Sequence, residues 1–307
     1  MLHIHDLQKG LPIFKCLSSP LRIQIIELLR REGPLPMSDI AGRLKITGGA
    51  LTPHIKQLVD SGFVTISLES GKHGLQRLCS VNECYIVVDP VSVNRNANVY
   101  ETEISVGQYT AYEAYPTCGL ATAEHIIGTE DDPRFFASPE RVNAGIVWIG
   151  HGYFEYMLPN FLKEDQKLIE LQISMEIASE APGSCEDWPS DIHFHLNGTL
   201  LCQWTSPGDF GRMRGIYTPA WWDRAWNQYG LFKLLSIDNS GTYIDGLKRS
   251  GVTLADLNIN HNSSLVLRIG VPKTAINVGG LTLYGRSFGN FDQGIKMRMH
   301  YKKNTKG

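Results

Sequence analysis

The stretch TGGALTPHIKQLVDSGFV, residues 47–64, predicts an amphipathic helix that runs into a strand. Four apolar residues recur at helical spacing: Leu51, Ile55, Leu58 and Val59. Gly62 ends the pattern, as glycine often does at the end of a helix. Two glycines and a proline nevertheless fall in its first turns, although both residue types disfavour a helix. We infer that contact with another molecule, more than helix propensity, selects the residues at this end.

Two starting points are open for this helix. If Thr47 is the N-cap, the first backbone N–H groups face outward and can meet an anion, and Gly48 and Gly49 permit a close approach. If Thr52 is the cap and Pro53 the first helical residue, the two glycines merely form a turn. In both cases a set of polar side chains points away from the apolar face: Thr52, His54, Lys56 and Gln57.

Two further helices precede this one, and a hairpin follows it. Residues 19–33 carry apolar positions at helical spacing, with Pro20 in the first turn and Gly33 at the end. Residues 36–46 predict a short helix with Ser38 as its N-cap. Alternating residues predict strands over 64–68 and 75–81, joined by a glycine-containing turn. Three helices and a hairpin in this order predict a winged helix-turn-helix over residues 1–90.

The segments LSSPLRIQIIELL, SDIAGRLKI and ALTPHIKQLVDSGFV, with the glycine-tipped hairpin, resemble ArsR-type winged-helix transcription regulators. MarR-type regulators share much of this pattern, including the proline at Pro53. The resemblance implies binding to double-stranded operator DNA as a homodimer on a palindromic site. Residues 2–17 resemble the family's dimerisation helix, which Gly10 and Pro12 are expected to interrupt. Ser38 to Leu44 lacks the cysteine cluster of the metal-sensing members, so a metal-responsive regulator is only an alternative.

Each exposed polar residue has an expected role at DNA. Thr52 and Gln57 can read base edges, whereas Lys56 and Arg43 suit phosphate contacts. His54 could serve either DNA contact or packing, and the hairpin tip could contact the backbone or be a solvated turn. The predicted DNA-binding residues are Arg43, Thr47, Gly48, Gly49, Thr52, His54, Lys56, Gln57, Lys72, His73 and Arg77. Residues 1–95 carry 11 basic against 8 acidic side chains, a net charge of +3 that favours an anionic partner.

The remaining chain has the pattern of a β-protein. Eight stretches alternate apolar and polar residues between turn residues: 99–109, 144–158, 167–180, 191–204, 229–238, 263–271, 280–289 and 294–301. Only residues 219–228 and 112–127 suggest helix. The sequence therefore predicts an α+β chain with a winged helix (1–90), a linker (91–97) and an antiparallel β-sandwich or jelly roll (98–303). The predicted C-terminal sandwich is similar to β-sandwich modules that bind carbohydrate.

A ligand site is expected in this second domain. All six tryptophans lie between residues 148 and 226, interleaved with aspartate and arginine, a composition suited to a sugar pocket. The predicted ligand-binding residues are Trp148, Glu155, Trp188, His193, His195, Trp204, Asp209, Arg212, Arg214, Trp221 and Trp222. The alternative is that the tryptophans form the core and the domain mediates dimerisation or protein contacts. His193 and His195 share one strand face, but no carboxylate follows them closely enough to predict a metal site.

Other classes of protein are not favoured. No secretory signal or apolar run long enough to span a membrane is present, and six scattered cysteines without a CxxC pair fit a cytoplasmic protein. Glu155, Glu170 and Glu176 could form an acid–base pair, but glutamates that face water from a strand explain them equally well. We therefore predict no enzyme and no cofactor. The predicted function is a transcription regulator, by default a repressor, that senses a small molecule, with a carbohydrate as the expected ligand.

Overall fold

The computed structural model describes residues 2–4, 7–71, 74–82, 86–88 and 98–304. It divides the chain into two compact units, Met1–Arg95 and Asn96–Gly307. The predicted linker 91–97 and the predicted DNA contacts Lys72 and His73 lie outside the described residues.

The N-terminal unit has the element order predicted for a winged helix. Its elements are β1 (Leu2–Ile4), α1 (Leu7–Leu17), α2 (Pro20–Glu32), β2 (Leu35–Pro36), α3 (Met37–Leu44), α4 (Gly48–Asp60), β3 (Val64–Gly71), β4 (Gly74–Val81) and β5 (Ile86–Val88). β3 and β4 form the predicted antiparallel hairpin, and β2 pairs with the outer side of β4. β1 pairs with β5 in parallel, which brings the first strand beside the one that follows the hairpin.

A single apolar core holds α2, α3 and α4 together. Leu51, Ile55 and Leu58 of α4 are buried as predicted, but Val59 is 36% exposed, so its predicted burial is wrong. The Ser38 N-cap is also wrong, because Pro36 is the cap residue and Ser38 lies inside α3. Pro36 supplies the extended backbone before the helix without a capping side chain.

Helix α1 is continuous, so the expected interruption by Gly10 and Pro12 is wrong. Gly10 is buried, and a Cβ there would lie 2.6 Å from Ile4 and 2.9 Å from Phe14. The glycine is therefore required by close packing and does not break the helix. Pro12 lies inside α1, where a proline removes one backbone hydrogen bond but does not end this helix.

The C-terminal unit is an antiparallel β-structure of twelve described strands. The strands are β6 (Asn98–Ile104), β7 (Ala111–Ala121), β8 (Ile146–Leu158), β9 (Gln166–Ala178), β10 (Ser190–Leu196), β11 (Thr199–Ser206), β12 (Leu231–Ile237), β13 (Thr242–Ile244), β14 (Leu247–Ser250), β15 (Leu265–Val271), β16 (Leu281–Tyr284) and β17 (Ile295–Lys303). A four-residue helix, α5 (Leu254–Leu257), precedes β15.

The two 13-residue strands β8 and β9 organise this sheet. β8 pairs with β7, β15 and β16, and β9 pairs with β12, β16 and β17. Because each long strand changes partners along its length, the sheet branches and folds over its own core as a nearly closed, barrel-like sandwich. The predicted antiparallel sandwich is confirmed.

Both helices suggested for this unit are wrong. Residues 111–121 form β7, and the register shift between Tyr115 and Cys118 accommodates Pro116 inside a strand. Residues 219–228 form turns, in which Trp222 Nε1 donates to the Asn227 carbonyl at 2.8 Å. The predicted single stretch 191–204 is a hairpin, because Asn197 and Gly198 both adopt positive φ and reverse the chain between β10 and β11.

Candidate DNA interface and ligand cleft

Helix α4 begins at the first of its two possible starting points. Thr47 has extended backbone angles, and its hydroxyl accepts the Ala50 N–H at 3.2 Å. The alternative start at Thr52 is wrong, because Thr52 lies inside the helix and donates to the Gly48 carbonyl at 2.8 Å. The Thr47 cap takes one backbone N–H of the first turn and leaves others without a helical partner, as an anion site requires.

Gly48 and Gly49 are not required by the internal packing of this unit. A Cβ at either position would meet no atom within 4 Å, and neither residue has a positive φ. Each glycine costs helix stability of about 0.5–1 kcal/mol relative to alanine. The fold gives no reason for these residues, whereas close approach of an external backbone would.

A buried arginine donates a hydrogen bond to the side chain of Gln57. Arg22 of α2 donates to Gln57 Oε1 at 2.5 Å and to the carbonyls of Cys16 and Lys15 at 2.5 and 2.7 Å. Arg22 is only 9% exposed. The amide oxygen of Gln57 is therefore engaged inside the unit, and a base contact through that oxygen would compete with Arg22.

The other predicted contacts differ in how available they are. Lys56 is exposed, with no ion-pair partner in the described part of the chain. Arg43 forms an ion pair with Glu32, so a phosphate would have to replace that carboxylate. His54 is half-buried, and its Nδ1 has no hydrogen-bond partner among the described residues. Arg77 is exposed on β4.

Comparison with known families agrees with this geometry. Residues 19–65, from the residue before α2 to the start of β3, match the winged helix-turn-helix DNA-binding family. The N-terminal unit is a winged helix-turn-helix. This match supports a DNA-binding transcription regulator, and α4 occupies the position of the recognition helix.

Comparisons of the whole chain add no functional information. No curated protein matches it. The functional form of the mosquito-larvicidal Cry4Aa toxin from Bacillus thuringiensis is similar over 54% of this chain and 20% of the toxin chain, with 12% identity and a TM-score of 0.26. The chain thus spans about a fifth of that protein's length. None of the helices in the described ranges is long and apolar enough to cross a membrane.

The C-terminal unit contains a cleft lined by three tryptophans. Its volume is about 430 Å³, part of it open to solvent. The lining residues are Thr117, Glu130, Asp131, Trp148, Glu180, Ala181, Pro182, Gly183, Trp222, Trp226 and Asn227. Indole rings beside carboxyl and amide groups form the mixed apolar and polar wall that small-molecule sites use.

Tryptophans serve both the core and this cleft. Trp148 and Trp222 are 7% and 2% exposed and belong to an apolar cluster with Tyr284 and Phe288. Trp222 meets Trp148 and Trp226 edge-on, with ring centroids 5.7 and 4.8 Å apart. Trp148 can lie against β7 because residue 119 is glycine, where a Cβ would be 2.3 Å from the indole. The core role holds for Trp148 and Trp222, which also line the cleft, and for Trp204, which is 8% exposed and belongs to the main apolar core.

Buried carboxyl groups lie at and below the base of the cleft. Glu180 Oε2 accepts hydrogen bonds from Asn227 at 3.0 Å and Thr282 at 2.8 Å. Burial, with the charge of Asp209, raises the pKa of Glu180 well above its usual range. Burial likewise raises the pKa of Asp209 to about 7, and the N–H of Ala181, which donates to Asp209 Oδ2, opposes this shift. Asp209 does not line the cleft, so its predicted ligand contact would be indirect.

Glu176 is buried, and backbone N–H groups donate hydrogen bonds to its carboxylate. Its carboxylate accepts the N–H groups of Gly230, Asn290 and Phe291 at 2.8–2.9 Å. Burial raises its pKa to about 8 despite these three donors. Glu170 is also buried, at 7% exposure. The interpretation of these two residues as glutamates that face water is therefore wrong.

A second group of predicted residues lies on the outward face of β10, β15 and β8. His193 and His195 point to the same face, as predicted, with ring centroids 6.1 Å apart. Arg268 pairs in register with both His195 and Glu155, and its guanidinium bonds Glu155 at 2.7 Å. Burial lowers the pKa of His195, and the neighbouring His193 and Arg268 lower it further. Within the described ranges, no three His, Cys, Asp or Glu side chains converge as a metal site.

The remaining predicted ligand residues are dispersed. Trp204 lies on β11, and the Lys233 ammonium lies over its indole ring, 4.8 Å from the ring centroid. Trp188 Nε1 donates to the Glu180 carbonyl, and Arg212 pairs with Glu186 at the surface. Two lie close to the tryptophan cluster: Arg214 donates to the Trp222 carbonyl, and Trp221 donates to the Ala123 carbonyl.

Several cleft residues were not predicted from the sequence. Thr117, Asp131, Glu180 and Asn227 come from separate segments, and the side chain of Trp226 completes the wall. No short motif links them. Only the concentration of tryptophans between residues 148 and 226 pointed towards this region.

Proposed function

We propose that the chain is a ligand-responsive transcription regulator that binds operator DNA through α4 as a homodimer. The observation that carries this proposal is the open first turn of α4, capped by Thr47 and built from Gly48 and Gly49. In a winged helix-turn-helix this end of the recognition helix enters the major groove. Thr52 and Lys56 are exposed on the same helix and supply base and phosphate contacts.

The C-terminal unit is the proposed sensor, with a carbohydrate as its ligand. Support comes from the tryptophan-lined cleft, since aromatic walls with a few fixed polar groups are typical of small-molecule sites. The proposal assigns the chain no catalytic role. Binding of the sugar changes the affinity for DNA only if the sugar binds the DNA-bound and the DNA-free states of the protein with different affinities. By default, the sugar relieves repression.

The DNA-binding half is tested with duplexes selected from a randomised pool, by fluorescence polarisation at several salt concentrations. Intact protein is expected to bind selected duplexes at least about a thousandfold more tightly than unselected ones. Light scattering of the complex should give two chains per duplex. Equal affinity for selected and unselected duplexes, or one chain per duplex, would refute specific binding by a dimer.

A further inference from the structure

The charge of the cleft restricts its ligand. Three carboxyl groups line it, from Glu130, Asp131 and Glu180, and the lining residues include no lysine, arginine or histidine. Glu130 and Asp131 are exposed at its mouth, so an approaching anion meets like charge. Ligands with a carboxylate or phosphate are disfavoured on this ground.

A buried amide in the cleft lining has an oxygen without a hydrogen-bond partner in the described residues. Asn227 is 4% exposed, and its Nδ2 donates to Glu180 at 3.0 Å and to Thr282 at 3.2 Å. These two bonds fix the orientation of the amide. Its Oδ1 is buried and has no partner within the described residues. A buried acceptor left unpaired costs about 1–3 kcal/mol, so a ligand that donates to it gains affinity.

The size of the cleft and the residues of its wall further restrict the class of ligand. The space of about 430 Å³ includes open solvent, so it is an upper limit on the volume that a ligand can fill, and it favours one ring over an oligomer. Trp226 is half-buried and joins Trp222 and Trp148 as an apolar wall. An aromatic wall favours a ligand with an apolar face, and the unpaired Asn227 oxygen favours one with O–H or N–H groups.

From these observations, and on the basis of the function proposed above, we infer that the cleft binds a single sugar ring that is uncharged or amino-substituted. It excludes sugar acids and sugar phosphates. The Asn227 oxygen accepts from a ring hydroxyl or amine, the indoles cover the apolar face of the ring, and Glu130 and Asp131 select against anions.

Calorimetric titration of the intact protein without DNA tests this inference. The probes are glucose, galactose, mannose, glucosamine, glucuronate and glucose 6-phosphate. At least one neutral or amino sugar is expected to bind, and both anions are expected to bind at least about tenfold more weakly at low ionic strength. Binding of glucuronate as tight as that of glucose, or no binding by any probe, would overturn the assignment.

Three variants locate the binding in the cleft. Asn227→Ala should weaken the best sugar by about tenfold or more. Because Asn227 is buried and could affect folding, Glu130→Gln with Asp131→Asn provides a second test at exposed positions. This pair should reduce the discrimination against glucuronate relative to the neutral sugar by several-fold. Glu164→Gln, an exposed carboxylate that is not part of the cleft lining, is the matched control. Unchanged discrimination in the pair would place the site elsewhere and refute the inference.

The titrations test sugar binding in the cleft independently of the proposed sensor role. If a sugar binds as expected but leaves the affinity for selected DNA unchanged, the cleft assignment stands and the sensor role falls. If no sugar binds while selected DNA is still bound, the cleft assignment falls and the DNA-binding proposal stands.

Discussion

Arg22 of α2 donates to Gln57 of the recognition helix at 2.5 Å, and the same guanidinium holds two carbonyls at the end of α1. One buried side chain therefore ties three helices together without a carboxylate partner in the described residues. Among the described residues this is the one side-chain hydrogen bond between α2 and α4, and it adds to the apolar core that the two helices share.

Replacement of Arg22 is expected to destabilise the winged helix. Arg22→Lys has a single charged nitrogen and cannot reach all three acceptors, so buried acceptors are left unpaired. We expect a loss of about 1–3 kcal/mol in the free energy of unfolding, measured by urea denaturation. Arg30→Lys, at an exposed position of α2, is the control and should change stability little. A stable Arg22→Lys protein would show that Arg22 does not hold these helices.

Alanine at Gly48 and Gly49 should raise stability and lower DNA affinity. The double variant should gain about 1–2 kcal/mol in the free energy of unfolding, measured by urea denaturation, because no atom obstructs either Cβ. Bound DNA would obstruct them, so affinity for selected duplexes should fall. Gly62→Ala is the matched control: its Cβ also meets open space, but its φ of +76° makes alanine destabilising. Unchanged DNA affinity in the double variant would remove the functional reason for these glycines.

Two charge variants should change DNA affinity in opposite directions. Lys56→Gln removes a phosphate contact, weakens binding to all duplexes alike and lowers the salt slope by about 1. Glu32→Gln releases Arg43 from its ion pair and should strengthen binding. Polarisation titrations over a range of salt concentrations give the DNA affinity and the salt slope of each variant. Lys163→Gln in the C-terminal unit is the control. Equal salt slopes for Lys56→Gln and the parent protein would exclude the phosphate contact.

Stability of the C-terminal unit should fall as pH rises from about 4 to about 7. The folded-state pKa of Asp209 is raised to about 7 by burial, so the native state binds a proton that the unfolded chain releases at lower pH. The Asp209 contribution is full below the unfolded value and is lost at up to about 1.4 kcal/mol per pH unit as pH rises towards the folded value. Burial raises the pKa of Glu176 and Glu180 as well, so they add to the same slope. Asp209→Asn should therefore reduce the slope in thermal melts without abolishing it, and exposed Asp187→Asn should leave it unchanged. A pH profile that Asp209→Asn leaves unchanged would contradict this account.

Local signals in the sequence were sufficient for the winged helix but not for the cleft. Thr47 capping was predictable, because a threonine before apolar residues at helical spacing marks a helix start. β7 was missed because Pro116 interrupts its alternation, and a bulge that accommodates proline is set by pairing with β8. Asn227, Glu180 and Asp131 come together only through the folding of distant segments, so no spacing along the chain could indicate their cleft.

Selection from randomised duplexes, followed by footprinting of the best site, measures whether α4 reads operator DNA. We expect an inverted repeat with half-sites about one helical turn apart, protected in the major groove. Thr52→Ala should relax base preference within a half-site, whereas Lys56→Gln should weaken binding to all sites equally. A pool without any enriched sequence, or an enriched site that both variants bind as the parent does, would contradict the claim.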